Sequence, residues 1–282
     1  MKKIVIITTL ILIAAIVAIF FSCKKENKDQ LVDTSRQKFA KQMHESAKVH
    51  NEAMEYVLER LLEIKSEKNK IRTEDEMLVI VENLCLDFVK SHPFFKSDIE
   101  KASKGIKIAF NSIKKRNQLR SERTNLWFNE DEQFLSESQK EWLTLVNEVL
   151  TNNNNIEQIC NELEQIKVRV INEGSEDDYA IIIAVIELGK ESPKYWFYNQ
   201  TFWEELAYED TGGGICYGWF NWNDCAGDDL AGGVGGAVGG AVVGGMAGGV
   251  GAGPGAAAGF VTGAVAASVT NATKQVWNKI FN

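Results

Sequence analysis

Three histidines, His44, His50 and His92, are the first candidates for acid–base or metal chemistry in this chain of 282 residues. His44 and His50 are six residues apart, which places them on different sides of one helix, and His92 precedes Pro93 at a helix end. None has the spacing of a metal ligand set, so all three read as surface or half-buried side chains. The serines lack a nucleophile elbow. The glycines do not follow a strand and no GxxxxGK[ST] motif is present, which leaves a phosphate loop unsupported. The Glu-rich segments read as solvated helix faces. No catalytic residue, metal or cofactor is expected, and the chain reads as non-enzymatic.

Sulfur and carboxylate offer little more. Cys216 and Cys225 enclose eight residues, a spacing that permits a local disulfide in an oxidising compartment. Cys85 and Cys160 fall on apolar faces of predicted helices and read as buried thiols. Asp224, Asp228 and Asp229 stand at the start of a helical arm, where carboxylates suit the helix dipole without a bound cation. The net charge of −8, with no basic stripe, argues against nucleic acid.

The element that dominates the chain is Leu230 to Thr273, which carries no charge and holds 15 of the 23 glycines. Gly232, Gly236, Gly240, Gly244 and Gly248 recur every fourth residue. Val234, Val238, Val242, Met246 and Val250 form a parallel column, and the ladder resumes at Gly255, Gly259 and Gly263. Residues four apart share one helix face, so these glycines form a strip on which a second helix backbone can approach closely. Gly251 to Gly255, with Pro254, reads as the turn of a helical hairpin. Each arm of roughly 20 residues would run about 30 Å, near one bilayer core. In water the ten glycines of the first arm cost on the order of 10 kcal/mol against alanine. The helix therefore needs lipid or a close-packed protein partner, and without either the tract is a linker.

Upstream, 34–190 reads as an α-helical bundle. The spacing of Phe39, Met43, Ala47, His50, Met54, Val57, Leu58 and Leu61 predicts one long helix over 34–69. Thr73 with Glu76, and Ser138 with Glu141, read as capping boxes. A third helix starts at Ser97 or Asp98 and a fifth covers Ile156 to Glu173, stopped at Gly174. Tyr179 to Leu188 should be a buried central helix, since Ile181 to Ile186 within it leaves no polar face. Residues 191–228 form an aromatic and Gly-rich connector, with Tyr195, Trp196, Phe197, Tyr198, Phe202, Trp203, Tyr208, Tyr217, Trp219, Phe220 and Trp222. These aromatics, with Trp277 beyond the hairpin, are either a bilayer-interface belt or the packing between bundle and hairpin. The hairpin region is 229–282. The fold class expected is all-α: a helical bundle followed by a Gly/Ala-rich helical hairpin.

At the N-terminus, Lys2-Lys3, the apolar run Ile4 to Phe21 and Ser22-Cys23 have the form of a signal peptide. A small residue followed by Cys after such a run resembles the lipobox of bacterial lipoproteins. That resemblance implies a signal over 1–22, diacylation of Cys23 and a tether over 23–33; the alternative is an uncleaved transmembrane anchor. With the glycine ladder, the chain resembles bacterial envelope lipoproteins that carry a two-helix, membrane-spanning glycine-zipper domain. Asp228-Asp229-Leu230-Ala231-Gly232-Gly233 and the tract after it also resemble Gly-rich bacteriocin-like peptides. The first resemblance implies a protein lipid-anchored in the bacterial cell envelope, at the outer membrane or cell surface in preference to the inner membrane. Its partners would be membrane lipid and other copies of itself through the glycine face. The second implies an effector whose hairpin oligomerises in a target membrane. A third reading is a soluble binding domain with the hairpin packed on its bundle.

Overall fold

The computed structural model describes residues 36–65, 73–119, 135–153, 155–208, 218–244 and 254–281. Within these residues the chain is all-α, without a strand. The signal, Cys23 and the tether lie outside the described residues, as do Cys216, Gly248 and the turn Gly251 to Gly253. Ala40–Asn282 forms one compact unit.

Helix α1 covers 36–65. Thr73 caps α2 (Glu74–Ser91), its hydroxyl accepting from the Glu76 N–H at 3.1 Å. Pro93 then opens a 3₁₀ turn, Pro93–Phe95, and α3 is Ile99–Leu119. The α4 helix (Glu137–Asn152) starts two residues earlier than the Ser138 signal: Ser136 and Gln139 make the reciprocal capping box. Asn155 caps α5 (Ile156–Glu173), and Gly174 ends it.

The largest departure is α6, which runs Glu176–Glu205 straight through Pro193. An interior proline costs a helix about 3 kcal/mol. Continuing the helix buries Tyr195, Trp196 and Trp203. Each such ring removes some 150–250 Å² from water, worth roughly 4–6 kcal/mol, so the three rings outweigh the proline. The first half of the expected connector is therefore helix. Its aromatics divide: Trp196, Trp203 and Phe220 stack with centroids 5.5–6.4 Å apart, while Phe197, Tyr198 and Phe202 face solvent.

The hairpin arms are α7 (Trp222–Gly244) and α8 (Pro254–Phe281). They do not stand apart from the bundle. Tyr179 to Leu188 is buried as expected, but α8 shares the centre. From Phe260 to Thr273 almost every residue of α8 is buried, whichever way it points. It packs on α7, α3 and α2, with a smaller contact to α6, while α6 also carries α7, α5 and α4. One apolar core joins Met54 and Val57 of α1, Val81 and Cys85 of α2, Ile106 of α3, Trp196 of α6, Cys225 of α7, and Val265 and Val269 of α8. Three hydroxyls on α8 are satisfied within their own helix, while that of the buried Thr273 has no partner. Thr262, Ser268 and Thr270 donate to the carbonyls of Gly259, Ala264 and Ala266 at 2.7–3.0 Å.

Helix directions follow from the polar pairs. His44, Asn51 and Lys65 of α1 meet Glu187, Glu191 and Glu205 of α6 in that order, so α1 and α6 are parallel. Asn221, just before α7, meets Gln275 near the end of α8, so the arms are antiparallel. The ends of α1, α6 and α8 and the start of α7 thus gather at one end of the bundle.

Candidate functional site

The glycine strip is a contact between the two arms. A Cβ placed on Gly232 would lie 2.5 Å from the Ala267 Cβ and closer still to the Gly263 carbonyl. One on Gly236 would lie 3.0 Å from the Gly263 Cα, and against the Gly259 carbonyl. One on Gly263 would lie 2.7 Å from the Gly236 Cα. Carbon pairs in ordinary contact are about 3.5–4.0 Å apart, so no side chain fits this seam. Gly232, Gly236, Gly259 and Gly263 come together as the four-residue spacing requires. The surroundings of Gly240, Gly244 and Gly255 lie outside the described residues. Val234, of the neighbouring column, is fully buried. Glycines outside the ladder bring other helices in: Gly105 of α3 abuts Thr262, and Gly233 abuts Phe260 and Leu188.

Beside the seam lies a polar node that the sequence did not announce. Asp229 is fully buried. Its Oδ2 accepts from the Ser192 hydroxyl, and from the Trp196 indole N–H at 2.8 Å. His50 of α1 brings Nε2 to 3.4 Å from the same oxygen and 3.2 Å from the Ser268 hydroxyl of α8. Its Nδ1 faces Asn51 Oδ1 at 3.0 Å, and the Asn51 amide donates to the Glu191 carbonyl at 3.1 Å. Helices α1 and α6 therefore meet the α7 carboxylate directly and α8 joins through His50, while Oδ1 of Asp229 has no partner. A buried carboxylate is costly unless donors meet it, and here they gather on Oδ2.

This arrangement contains Ser, His and Asp without being a relay. A relay needs the carboxylate on one ring nitrogen and the hydroxyl on the other, whereas here both share Nε2. The side chains of His50 and Asp229 are wholly shielded from solvent, and Ser192 and Ser268 are buried too, so no substrate atom reaches them. Two sequence readings are corrected. His50 is not surface or half-buried but sealed in the core. Asp228 and Asp229 lie nearly two turns inside α7, with side-chain partners that the dipole reading did not anticipate; Asp224 alone sits in the first turn. Asp228 accepts from the Asn271 amide of α8, which ties one arm to the other. Asp229 ties the hairpin to the bundle.

The other two histidines are more exposed. His92 pairs with Glu52 at 2.8 Å and accepts from the Phe94 N–H at 3.3 Å. His44 sits 3.2 Å from Glu187, a buried carboxylate also met by Lys167 at 2.6 Å and Lys190 at 3.4 Å. Lys190 reaches Glu164 as well. Partial burial works against ionisation of Glu164, but the hydrogen bond and charge of Lys190, aided by Lys167, outweigh it and hold its pKa below the ordinary carboxylate value. Burial likewise opposes the charge on Lys190, and its two carboxylates more than offset that. These are interlocking ion pairs between α5 and α6, with the His44 ring of α1 against the same buried carboxylate.

Cys225 is buried on α7, where the Gln275 amide donates to its sulfur at 3.3 Å; the pairing with Cys216 that the spacing permits lies outside the described residues. Cys85 is a buried thiol as expected, while Cys160 is half-buried and points its S–H at the Lys190 carbonyl. Among the described residues no group of three or more His, Cys, Asp or Glu is placed to hold a metal ion. None of the protein-family models, curated proteins or solved structures compared with the chain matches it significantly.

Proposed function

We propose that the protein is a non-enzymatic envelope lipoprotein, tethered through Cys23, whose helical domain is a binding module with the glycine hairpin folded into its core. The observation that carries this reading is the burial of α8 against α7, α3, α2 and α6. The partner that a glycine-rich helix needs is supplied from within the chain. In the same direction, no helix among the described residues is long and apolar enough to cross a membrane. Anchorage then rests on the lipobox-like Ser22-Cys23.

Two measurements test it. Metabolic labelling with a fatty-acid analogue should mark the wild type and not Cys23→Ala; equal labelling overturns the anchor. Purified residues 24–282, which keep the whole compact unit, should leave dye-filled vesicles intact. Dye release at low protein-to-lipid ratio would overturn the folded-in hairpin.

A second reading is favoured by one observation, the division of labour between Asp228 and Asp229. The arms have their own seam and their own Asp228–Asn271 tie, so the hairpin could leave the bundle as a unit once the Asp229 node opened. This is the effector reading, with insertion into a target membrane, and dye release would support it.

A further inference from the structure

We infer that the end of the bundle formed by the close of α6, the start of α7 and the close of α8 is a docking surface for the bilayer interface. The large exposed aromatics of the described residues are all there: Phe197, Tyr198 and Phe202 on α6, and Phe281 on α8, with Ile280 beside it, each 40–69% exposed. Tyr198 and Phe202 are four residues apart and share one face. Phe197 meets Trp222 with centroids 5.9 Å apart. Trp222 follows Asn221, which accepts from and donates to Gln275, and Trp277 stacks on Phe281 at 3.9 Å. The two groups of rings are therefore one neighbourhood.

The chemistry of this end selects the occupant. Tyr195 to Trp203 and Gly218 to Asn223 contain no charged residue, only aromatics, amides, Gly and Thr. Lys279, its ammonium 5.9 Å from the Trp219 ring centroid, lies at the rim. A face of half-exposed Trp, Tyr and Phe with amides and a rim lysine suits the layer between headgroups and acyl chains, where amphipathic rings concentrate. The rings themselves carry no charge, and the charges at their edge, Lys65, Glu205 and Asp224, are of mixed sign. With a chain charge of −8, this face suits zwitterionic rather than anionic lipid.

Reach is the remaining condition, and here the inference rests on the proposed anchor at Cys23. Helix α1 enters the compact unit at Ala40, at the end of the bundle away from the aromatics. Because α1 begins at residue 36, the leash is the 13 residues from Cys23 to that point, at most roughly 45 Å of chain, against about 44 Å of helix from residue 36 to Lys65. A lipid on Cys23 therefore leaves just enough chain for the aromatic end to lie on the anchoring membrane.

The test uses residues 24–282 without lipid, so that docking is read separately from anchorage. Flotation with phosphatidylcholine vesicles should recover the protein, insensitively to salt. Brominated lipid should quench the emission of Trp222 and Trp277, and the quenched fraction should exclude the buried Trp196 and Trp203. The double variant Tyr198→Asp/Phe202→Asp should weaken vesicle binding by about tenfold or more, from the exposed ring area lost. Val79→Asp/Ile108→Asp, at comparably exposed apolar positions on α2 and α3, should bind as the wild type does. Equal loss in both variants overturns the proposal, as does absence of wild-type binding. Dimerisation abolished by Tyr198→Asp/Phe202→Asp, without vesicle binding, would make the surface a self-association site instead. If vesicles bind but Cys23 is not acylated, the anchor fails and the docking surface stands.

Discussion

Gly263→Ala adds one methyl group at the centre of the seam and should cost stability, although helix propensity predicts the opposite. Alanine is favoured over glycine in a helix by about 1 kcal/mol. Against this, the new Cβ would sit 2.7 Å from the Gly236 Cα and closer to the Gly232 carbonyl. Ordinary carbon contacts are near 3.5–4.0 Å, so the arms must separate by about 1 Å. The obstructing atoms are backbone, which cannot rotate aside as a side chain can. The cost belongs at the upper end of overpacking, about 3 kcal/mol. The net loss is then about 2 kcal/mol, a fall in Tm of roughly 4–8 °C for a domain of this size. Gly227→Ala supplies the control on the neighbouring helix, because nothing lies within 4 Å of a Cβ there. It should gain up to about 1 kcal/mol. Urea unfolding of residues 24–282 at constant m reads both changes. The reasoning is refuted if Gly263→Ala matches or exceeds the wild type while Gly227→Ala behaves as expected, for the arms would then not meet at this glycine.

Asp229→Ala should strand the Ser192 hydroxyl and the Trp196 indole N–H, at about 1–3 kcal/mol each, while Asp229→Asn keeps one acceptor and should lose less; thermal melts rank them. The pKa of Glu164 is lower in the folded state than the usual value near 4.3, so this carboxylate contributes stability above that value and loses it as pH falls through its folded pKa. Lys190→Met should reduce the fall in urea midpoint between pH 7 and acid, and an unchanged fall would remove the pair from the explanation. Burial pushes the Cys85 thiol well above its usual pKa and the Cys160 thiol less far, so native protein should be alkylated at Cys160 before Cys85, as peptide mapping after brief iodoacetamide treatment would show.

Two rules explain what the sequence made legible and what it withheld. Helix caps and three-four periodicity are local, so Thr73 and Gly174 mark real ends and the apolar faces of α1 and α5 are real faces. The glycine ladder is local too, and Gly232, Gly236, Gly259 and Gly263 meet as their spacing requires. What periodicity cannot say is which medium surrounds a helix that is apolar all round, because a bilayer and a protein core impose the same pattern. For that reason the sequence left α8 between a membrane arm and a helix packed on the bundle. The node was hidden differently. Its members are far apart in sequence, with His50 and Ser268 separated by 218 residues, and no motif links a lone His to a lone Ser at that distance. One local signal was present. Asp228 and Asp229 are the last charges before a tract that must be buried, and a helix i, i+1 pair cannot share a partner. One carboxylate turns to Asn271 and the other to α1 and α6. Breaking the second tie while sparing the first, as Asp229→Ala does and Asn271→Ala does not, therefore decides between the two proposed functions. If Asp229→Ala alone makes residues 24–282 release dye from vesicles, the hairpin is a stored membrane element; if it only lowers Tm, the hairpin is core.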